Sequence, residues 1–390
     1  MRGCGRGCVP GELASRQMTE SYWLTEPAEP IARVTRDGRP DVVVIGGGVT
    51  GCSCALTLAQ GGLRVRVHEA RRVAEGASGR NGGFALHGLA VSYRTARDRF
   101  GRDTATALWR LTERGLDRME ELAGDAFRRV GSIQLAVDEE LAAVRAEFEA
   151  LREDGIAVEW VDELAPPLNA LYSGAILHLT DASIHPARWV RRLAAHAVAA
   201  GVEIVEESRV ASLDEIDAEQ VVIATDGYTQ GLSEQLDAAV QPVRGQVIAT
   251  EPLPRMLYPR PHYARHSFDY WQQTPEGRLI LGGRRDRHLA AESTSEETVT
   301  VAVQDELTEL AAELVGADAR IEHCWAGIFG STVDLLPLVG RVPGHESLWV
   351  SAGYSGRGNV MGLAGGELVA QAILGSPAPE LQYFDPARLL

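Results

Sequence analysis

The stretch DVVVIGGGVTGCSCALTLAQGGLRVRVHEARRVAEGASGRNGG, residues 41–83, decides the fold. Val42 to Ile45 is a continuous apolar, β-branched run, the pattern of a central parallel strand buried on both faces. Gly46, Gly48 and Gly51 follow in G-x-G-x-x-G spacing. In such a turn the first glycine permits the tight bend, the second lets a pyrophosphate approach the backbone, and the third lets helix pack on strand. The spacing predicts a helix over Thr50 to Gln60. Its N-terminus, with Val49 and Thr50, presents a partial positive charge to the phosphates. Gly61-Gly62 ends it. Leu63 to Val67 reads as the second strand, with Glu69 and Ala70 after it. A carboxylate there can accept the hydroxyls of an adenosine ribose. Strand, glycine turn, helix and acid in this order make a dinucleotide-binding βαβ unit.

Glu69 does not separate NAD from FAD; the next segment does. Arg71-Arg72 is followed by Ala77-Ser78-Gly79-Arg80-Asn81-Gly82-Gly83, a small, polar, glycine-rich loop with one cation. It suits a second phosphate and ribityl contact of an extended flavin. An NAD domain would continue into another βαβ repeat at this point.

The chain has 390 residues, 45% apolar and 24% charged, enough for a large core and two domains. A formal charge of −16 argues against nucleic acid as a partner. All 38 basic residues are arginine. A chain without lysine excludes every mechanism that needs one, whether Schiff base, general base or oxygen-activating cation. Five cysteines, at 4, 8, 52, 54 and 324, show neither zinc-site nor disulfide spacing, so no metal is expected and a reducing cytoplasm is favoured. No apolar run approaches signal-peptide or membrane-span length. Residues 1–17 are expected to be a disordered extension, with Met18 a later alternative start.

Further on, residues 94–124 carry helical spacing through Leu108, Leu111, Leu116, Met119 and Leu122. Val130 to Ala136 reads as a strand, Glu139 to Gly155 as a charged helix, and Ala175 to Leu179 as a strand. Asp181-Ala182-Ser183-Ile184-His185-Pro186 leads into a helix ending at Ala200. Gln220 to Thr225 is a buried strand that returns the chain to the first sheet. Val243–Thr250, Ser267–Gln273 and Arg278–Gly282 read as antiparallel strands, and Ile321–Phe329 as a further strand. Leu348 to Ala352 ends in Gly353-Tyr354-Ser355-Gly356-Arg357-Gly358, and an alanine- and glycine-rich helix, Asn359 to Leu374, follows. Ser21-Tyr22-Trp23 is expected to pack on the surface of the body.

These residues resemble the D-amino-acid oxidase-like FAD oxidoreductases over nearly the whole chain, in particular the glycine/sarcosine oxidase branch and the gamma-glutamylputrescine oxidoreductases. The carrying motifs are IGGGVTG with Glu69, ASGRNGG, DASIHPAR, VVIATDGY, EGRLILGG, WAGIFGSTVDLLPLVG and AGYSGRGNVMGLAGGELVA. The resemblance implies an α/β chain of GR2 type. A doubly wound FAD-binding sheet would be built from residues 41–91, 181–240 and 330–390. A mixed, largely antiparallel substrate domain would come from 92–180 and 241–329, after an extension over 1–40. It implies that Gly46, Gly48, Gly51 and Glu69 bind the ADP half, with Arg71 beside the adenosine. Ser78, Arg80 and Asn81 would approach flavin and pyrophosphate, Val210 the adenine, and Ala224 and Thr225 the pyrophosphate. Gly353 and Gly356 to Val360 (Arg357, Gly358 and Asn359 between) would lie at the flavin pyrimidine, with Tyr354 near the substrate. Gly327 stands where some relatives attach flavin through cysteine, so the FAD is expected to be non-covalent. Val360 and Ile280 stand where others carry lysines.

The function expected is FAD-dependent oxidation of a small-molecule amine or amino acid, by hydride transfer from the carbon beside a neutral amine and then imine hydrolysis, with oxygen as acceptor. The alternatives are an amine dehydrogenase feeding a quinone or protein, and a flavoprotein that tailors a larger scaffold. Such chemistry needs orientation, a dry pocket and charge stabilisation more than a strong base. Arg357, Tyr354, Trp271 and His87 are the catalytic candidates. Phe84, Tyr270, Trp325 and Phe329 are further pocket candidates. Tyr270 and Trp271 alternate on one strand, so only one can face the pocket.

Overall fold

The computed structural model describes residues 20–31, 38–316 and 319–390, so the expectation for residues 1–17 falls outside it. The decisive stretch folds as β1 (Val42–Ile45), α1 (Val49–Gln60) and β2 (Val65–His68). All four β1 side chains are buried, as a strand covered on both faces requires. β1 and β2 run parallel with Val42 beside Val65. A Cβ on Gly51 would lie 1.8 Å from the Gly46 carbonyl oxygen, so only glycine lets α1 fold back this closely.

The chain then forms β3 (Phe84–Ala85), α2 (Tyr93–Phe100) and α3 (Arg102–Ala123). The single helix expected over 94–124 is thus two. Gly101 adopts φ 81° and ψ 163°, outside helical space, and caps both. Next come β4 (Phe127–Arg128), β5 (Ser132–Ala136), α4 (Leu141–Glu153), β6 (Val158–Val161), β7 (Gly174–His178), β8 (Ala182–Ile184) and α5 (Pro186–Ala199). They are followed by β9 (Glu203–Val205), β10 (Gln220–Ile223), β11 (Gln241–Pro252), β12 (His262–Ala264), β13 (Asp269–Gln273) and β14 (Arg278–Gly283). The chain closes with α6 (Val301–Val315), β15 (Ile321–Ser331), β16 (Leu338–Arg341), β17 (Leu348–Ala352) and α7 (Gly358–Ile373).

A six-stranded sheet has the order β16-β17-β10-β1-β2-β9, parallel except where β16 meets β17. An eight-stranded, mostly antiparallel sheet has the order β15-β11-β14-β13-β12-β5-β7-β6. β8 joins β3 and β4 in a small third sheet that the sequence reading took for a helix entry. Trp23 is buried, not laid on the surface: its Nε1 donates to the Asn81 carbonyl at 2.8 Å, and Ser21 Oγ donates to the Gly79 carbonyl at 2.9 Å. The segment before β1 thus props the glycine-rich loop from behind. Among the described residues no helix is long and apolar enough to cross a membrane.

Candidate active site

One cavity of about 1200 Å³ runs between the two large sheets. Its wall begins where β1 and β2 end. Glu69 is half-buried; its two carboxylate oxygens accept the Gly47 and Arg71 backbone N–H groups at 2.7 and 2.8 Å. Burial pushes the Glu69 carboxyl upward, and these two bonds oppose that shift. Gly46, Gly48, Val49, Thr50, Ala70 and Arg71 line the same stretch of wall. Gly48 at the cap position carries no side chain, so the N–H groups of α1 beyond Val49 stay open to an anion. A Cβ on Gly48 would stand 2.8 Å from Ser78 Oγ, which accepts the Val49 N–H at 3.1 Å. Val210, Ala224 and Thr225 close this end of the cavity. Gly51 does not reach it and serves packing.

The loop from Ser78 to Gly83 is held from several sides. Asn81 Nδ2 donates to the Ala77 and Ser78 carbonyls, and its amide pairs with that of Asn359 at 3.1–3.2 Å. Asn359 Nδ2 also donates to the Phe84 carbonyl at 2.6 Å. Gln272 Nε2 reaches the Gly82 and Gly83 carbonyls at 2.6 and 2.7 Å. Trp325 Nε1 donates to the Arg80 carbonyl at 2.8 Å, so this tryptophan fastens the loop and does not line the cavity. Arg80 is turned inward, with Nε donating to the Glu75 carbonyl and Nη1 to that of Ala326. Ser78, Arg80, Asn81, Gly82 and Gly327 are all on the wall.

Asp226, unnoticed in the sequence, joins the two chain turns opposite. It is half-buried, and its oxygens accept the Gly330 and Gly353 N–H groups at 2.8 Å each. Gly353 thereby serves this brace and is not on the wall, whereas Gly356, Arg357, Gly358, Asn359 and Val360 are. The N-terminus of α7 opens there, with Arg357 at its cap position. Arg357 Nη2 lies 3.4 Å from Ser267 Oγ, and its guanidinium sits 5.4 Å from the Tyr263 ring centroid. No carboxylate pairs with it among the described residues.

Two catalytic expectations need correction. Trp271 points away from the cavity, packed parallel to His262 with ring centroids 5.5 Å apart; its neighbour Tyr270 takes the wall position. Tyr270 meets Phe84 edge-on at 5.6 Å, and Phe329 is also on the wall. Tyr354 borders the cavity, but its hydroxyl is bonded to Thr50 Oγ1 at 3.0 Å and Ser351 Oγ at 2.8 Å. It ties α1, β17 and α7 together and has no hydroxyl to offer a substrate. Ile280 lies in the core, off the wall.

His87 does reach the cavity, and it belongs to a network. Its Nδ1 lies 2.5 Å from Asp181 Oδ1, and its backbone N–H donates to the same oxygen at 2.8 Å. Ser132 Oγ donates to Asp181 Oδ2 at 2.6 Å. Burial alone would lower the imidazole, but the Asp181 charge and hydrogen bond outweigh it and raise His87. Burial works against the Asp181 anion; the His87 charge and bond prevail and hold it down to about 2. His178, ring centroid 5.0 Å from His87, is pushed down to about 3 by burial and then by the His87 charge. His178 Nε2 and Tyr263 Oη both meet Gln134 Oε1, at 3.1 and 3.3 Å. Ligand atoms of His87, His178 and Asp181 lie within 4.8 Å of one another, as a metal would require. Both Asp181 oxygens are already committed, however, so the cluster stands as a hydrogen-bond network. The signal for Asp181 was present in DASIHP, but that motif read as a helix entry.

The donor set fits FAD. A half-buried carboxylate follows β2, a helix end with a glycine at its cap follows β1, and a second helix end with a cation lies at the far wall. Glu69, Gly48, Val49 and Ser78 would hold the ADP half; Arg80, Gly82, Gly327 and the turn from Gly356 to Val360 would border the flavin. Cys52, Cys54 and Cys324 are fully buried and none lines the cavity.

Comparison with known proteins agrees. The family model described as FAD dependent oxidoreductase (DAO) matches residues 41–372. The chain is 27% identical over 376 residues to the probable oxidoreductase OrdL of Haemophilus influenzae, covering 88% of this chain and 84% of that protein. It is 28% identical over 364 residues to gamma-glutamylputrescine oxidoreductase of Escherichia coli, covering 86% and 84%. The crystal structure of glycine oxidase from Geobacillus kaustophilus superposes with a TM-score of 0.74 at 24% identity, over 90% of this chain and 99% of that one. With the cavity, the glycine turn and these matches in hand, the chain belongs to the DAO family of FAD-dependent oxidoreductases.

Proposed function

We propose that this enzyme oxidises an amine or amino acid at the carbon bearing nitrogen and passes the electrons to oxygen. When bound, FAD supplies the hydride acceptor. The chain's own residues supply orientation, a dry wall and charge. Phe84 and Tyr270 exclude water from the reacting face. Arg357 and the N-terminus of α7 place positive charge where reduction puts negative charge. The substrate nitrogen must be neutral to release a hydride from its neighbouring carbon, and the imine then hydrolyses in solution. The observation that carries the reading is Arg357: a half-buried cation on the cavity wall, stacked over Tyr263 and without a carboxylate partner among the described residues. Relatives named gamma-glutamylputrescine oxidoreductase and glycine oxidase support the substrate class.

The test is anaerobic mixing of the yellow protein with a panel of amines, amino acids and polyamines. Bleaching of the flavin band by at least one, followed by recovery and peroxide formation on admitting air, is the expected result. No bleaching by any of them would overturn the reading. Bleaching without peroxide on aeration would move the acceptor to a quinone or protein.

A further inference from the structure

The cavity does not end at His87. It continues between the chain segment after β3, α3 and α4. Its wall there is Leu89, Val91, Trp109, Val144 and Leu151, all of them buried. The walls are fixed. Trp109 meets Tyr93 edge-on with centroids 4.9 Å apart, and the Gly88 N–H donates to Thr112 Oγ1 at 2.7 Å. The Glu147 carboxylate within this arm is spent: its oxygens accept the Tyr93 and Arg94 N–H groups at 2.6 and 3.0 Å. At its outer end the lining becomes exposed and polar, with Arg94 and Asp98 of α2.

We propose that this arm seats an unbranched aliphatic chain of the substrate. The amine would lie at the Arg357 wall and the chain would run past His87 towards the mouth at Arg94 and Asp98. This rests on the amine-oxidation reading. The apolar, dry and preformed character of the walls favours methylene groups over a polar or charged stem. The polar mouth fits a chain whose far end is wetted. A substrate as small as glycine would leave the arm unused.

The experiment measures anaerobic flavin reduction by a homologous series of straight-chain primary amines. Each added methylene is expected to raise the specificity constant about threefold to fourfold, the value of one buried methylene, until the chain reaches the mouth. Val144→Trp should obstruct the arm, cutting reduction by long amines at least tenfold and leaving the shortest unchanged. Leu89→Phe provides a second obstruction if the first variant fails to fold, with flavin content as the check. Absence of any chain-length dependence, or equal losses for short and long amines in a folded variant, overturns the proposal. Straight-chain alcohols, which cannot be oxidised as amines, keep the two readings apart. Their binding, seen as a perturbation of the flavin spectrum, should tighten with length by the same factor. If no amine bleaches the flavin but alcohols still bind in a length-dependent way that Val144→Trp abolishes, the amine reading fails and the arm stands.

Discussion

Arg71 and Glu297, 226 residues apart, meet fork to fork: Arg71 Nη1 lies 3.1 and 2.8 Å from the two carboxylate oxygens, and Nη2 lies 3.1 Å from one of them. The Tyr228 hydroxyl bonds the same carboxylate, and the Arg71 guanidinium lies 5.0 Å from the Tyr228 ring centroid. Arg71 follows β2, whereas Glu297 comes from the loop before α6, which is anchored by the buried Arg244–Glu292 pair. Both line the cavity beside Glu69. The pair is therefore a strap across the end that would hold adenosine.

If the strap retains the cofactor, Glu297→Ala should weaken FAD affinity about tenfold, as for loss of a partly desolvated ion pair worth roughly 1.4 kcal/mol. Flavin release on dilution, followed by fluorescence, measures it. Tighter binding in the variant would mean instead that Glu297 competes with the cofactor for Arg71.

Two glycines of one motif should fail differently. Gly48→Val places a side chain at the open end of α1, against Ser78 Oγ, and should give folded protein without flavin. Gly51→Ala sets a Cβ 1.8 Å from a backbone oxygen within the β1–α1 packing and should give little soluble protein. Flavin content and circular dichroism of both variants decide this, and a yellow Gly48→Val protein would refute the placement.

Arg357→Ala should stay folded and yellow but reduce its flavin roughly tenfold to a thousandfold more slowly, as for loss of one charge-stabilising group. Arg357→Met should match it, because methionine keeps the bulk and loses the charge. Stopped-flow reduction at a fixed substrate concentration reads the effect. Wild-type rates in both would leave the charge to the α7 dipole alone.

The His87–Asp181 pair sets a pH signature. Asp181 is depressed to about 2, so its contribution is present above the unfolded value of about 3.9 and is lost as pH falls towards 2. His87 is raised, so its contribution is complete below about 6.5 and is lost as pH rises through its raised value. The margin of wild type over Asp181→Asn in thermal melts should therefore be widest between about pH 4 and 6.5 and shrink above it. His178, depressed to about 3, works the other way below about 6.5, but it is present in both proteins and largely cancels. A margin that grows from pH 6.5 to 9 would contradict the charged pair.

What the sequence made legible was local. The turn from Gly46 to Gly51, the carboxylate of Glu69 and the α7 entry at Arg357 each follow from spacing within a few dozen residues. The pocket wall was less readable, because alternation on β13 allows either Tyr270 or Trp271 inward and only the packing of Trp271 against His262 decides between them. Asp226, Asp181 and Glu297 were missed for a related reason. Each works through partners 49 to 226 residues away, and no short pattern announces such a meeting. The break at Gly101 was missed because the apolar spacing that was read, Leu108 to Leu122, lies wholly on one side of it.

The order in which strands enter the six-stranded sheet has a consequence for biosynthesis. β17 lies inside that sheet, hydrogen-bonded to β10 on one side and β16 on the other, yet it is the last of the described strands. While the ribosome still holds residues 338–352, β10 has an open edge and the Arg357 turn does not exist. Cofactor capture must wait until the turn at Arg357 has been made, and the glycine-rich turn of residues 46–51 has to persist until then with its binding partner uncaptured.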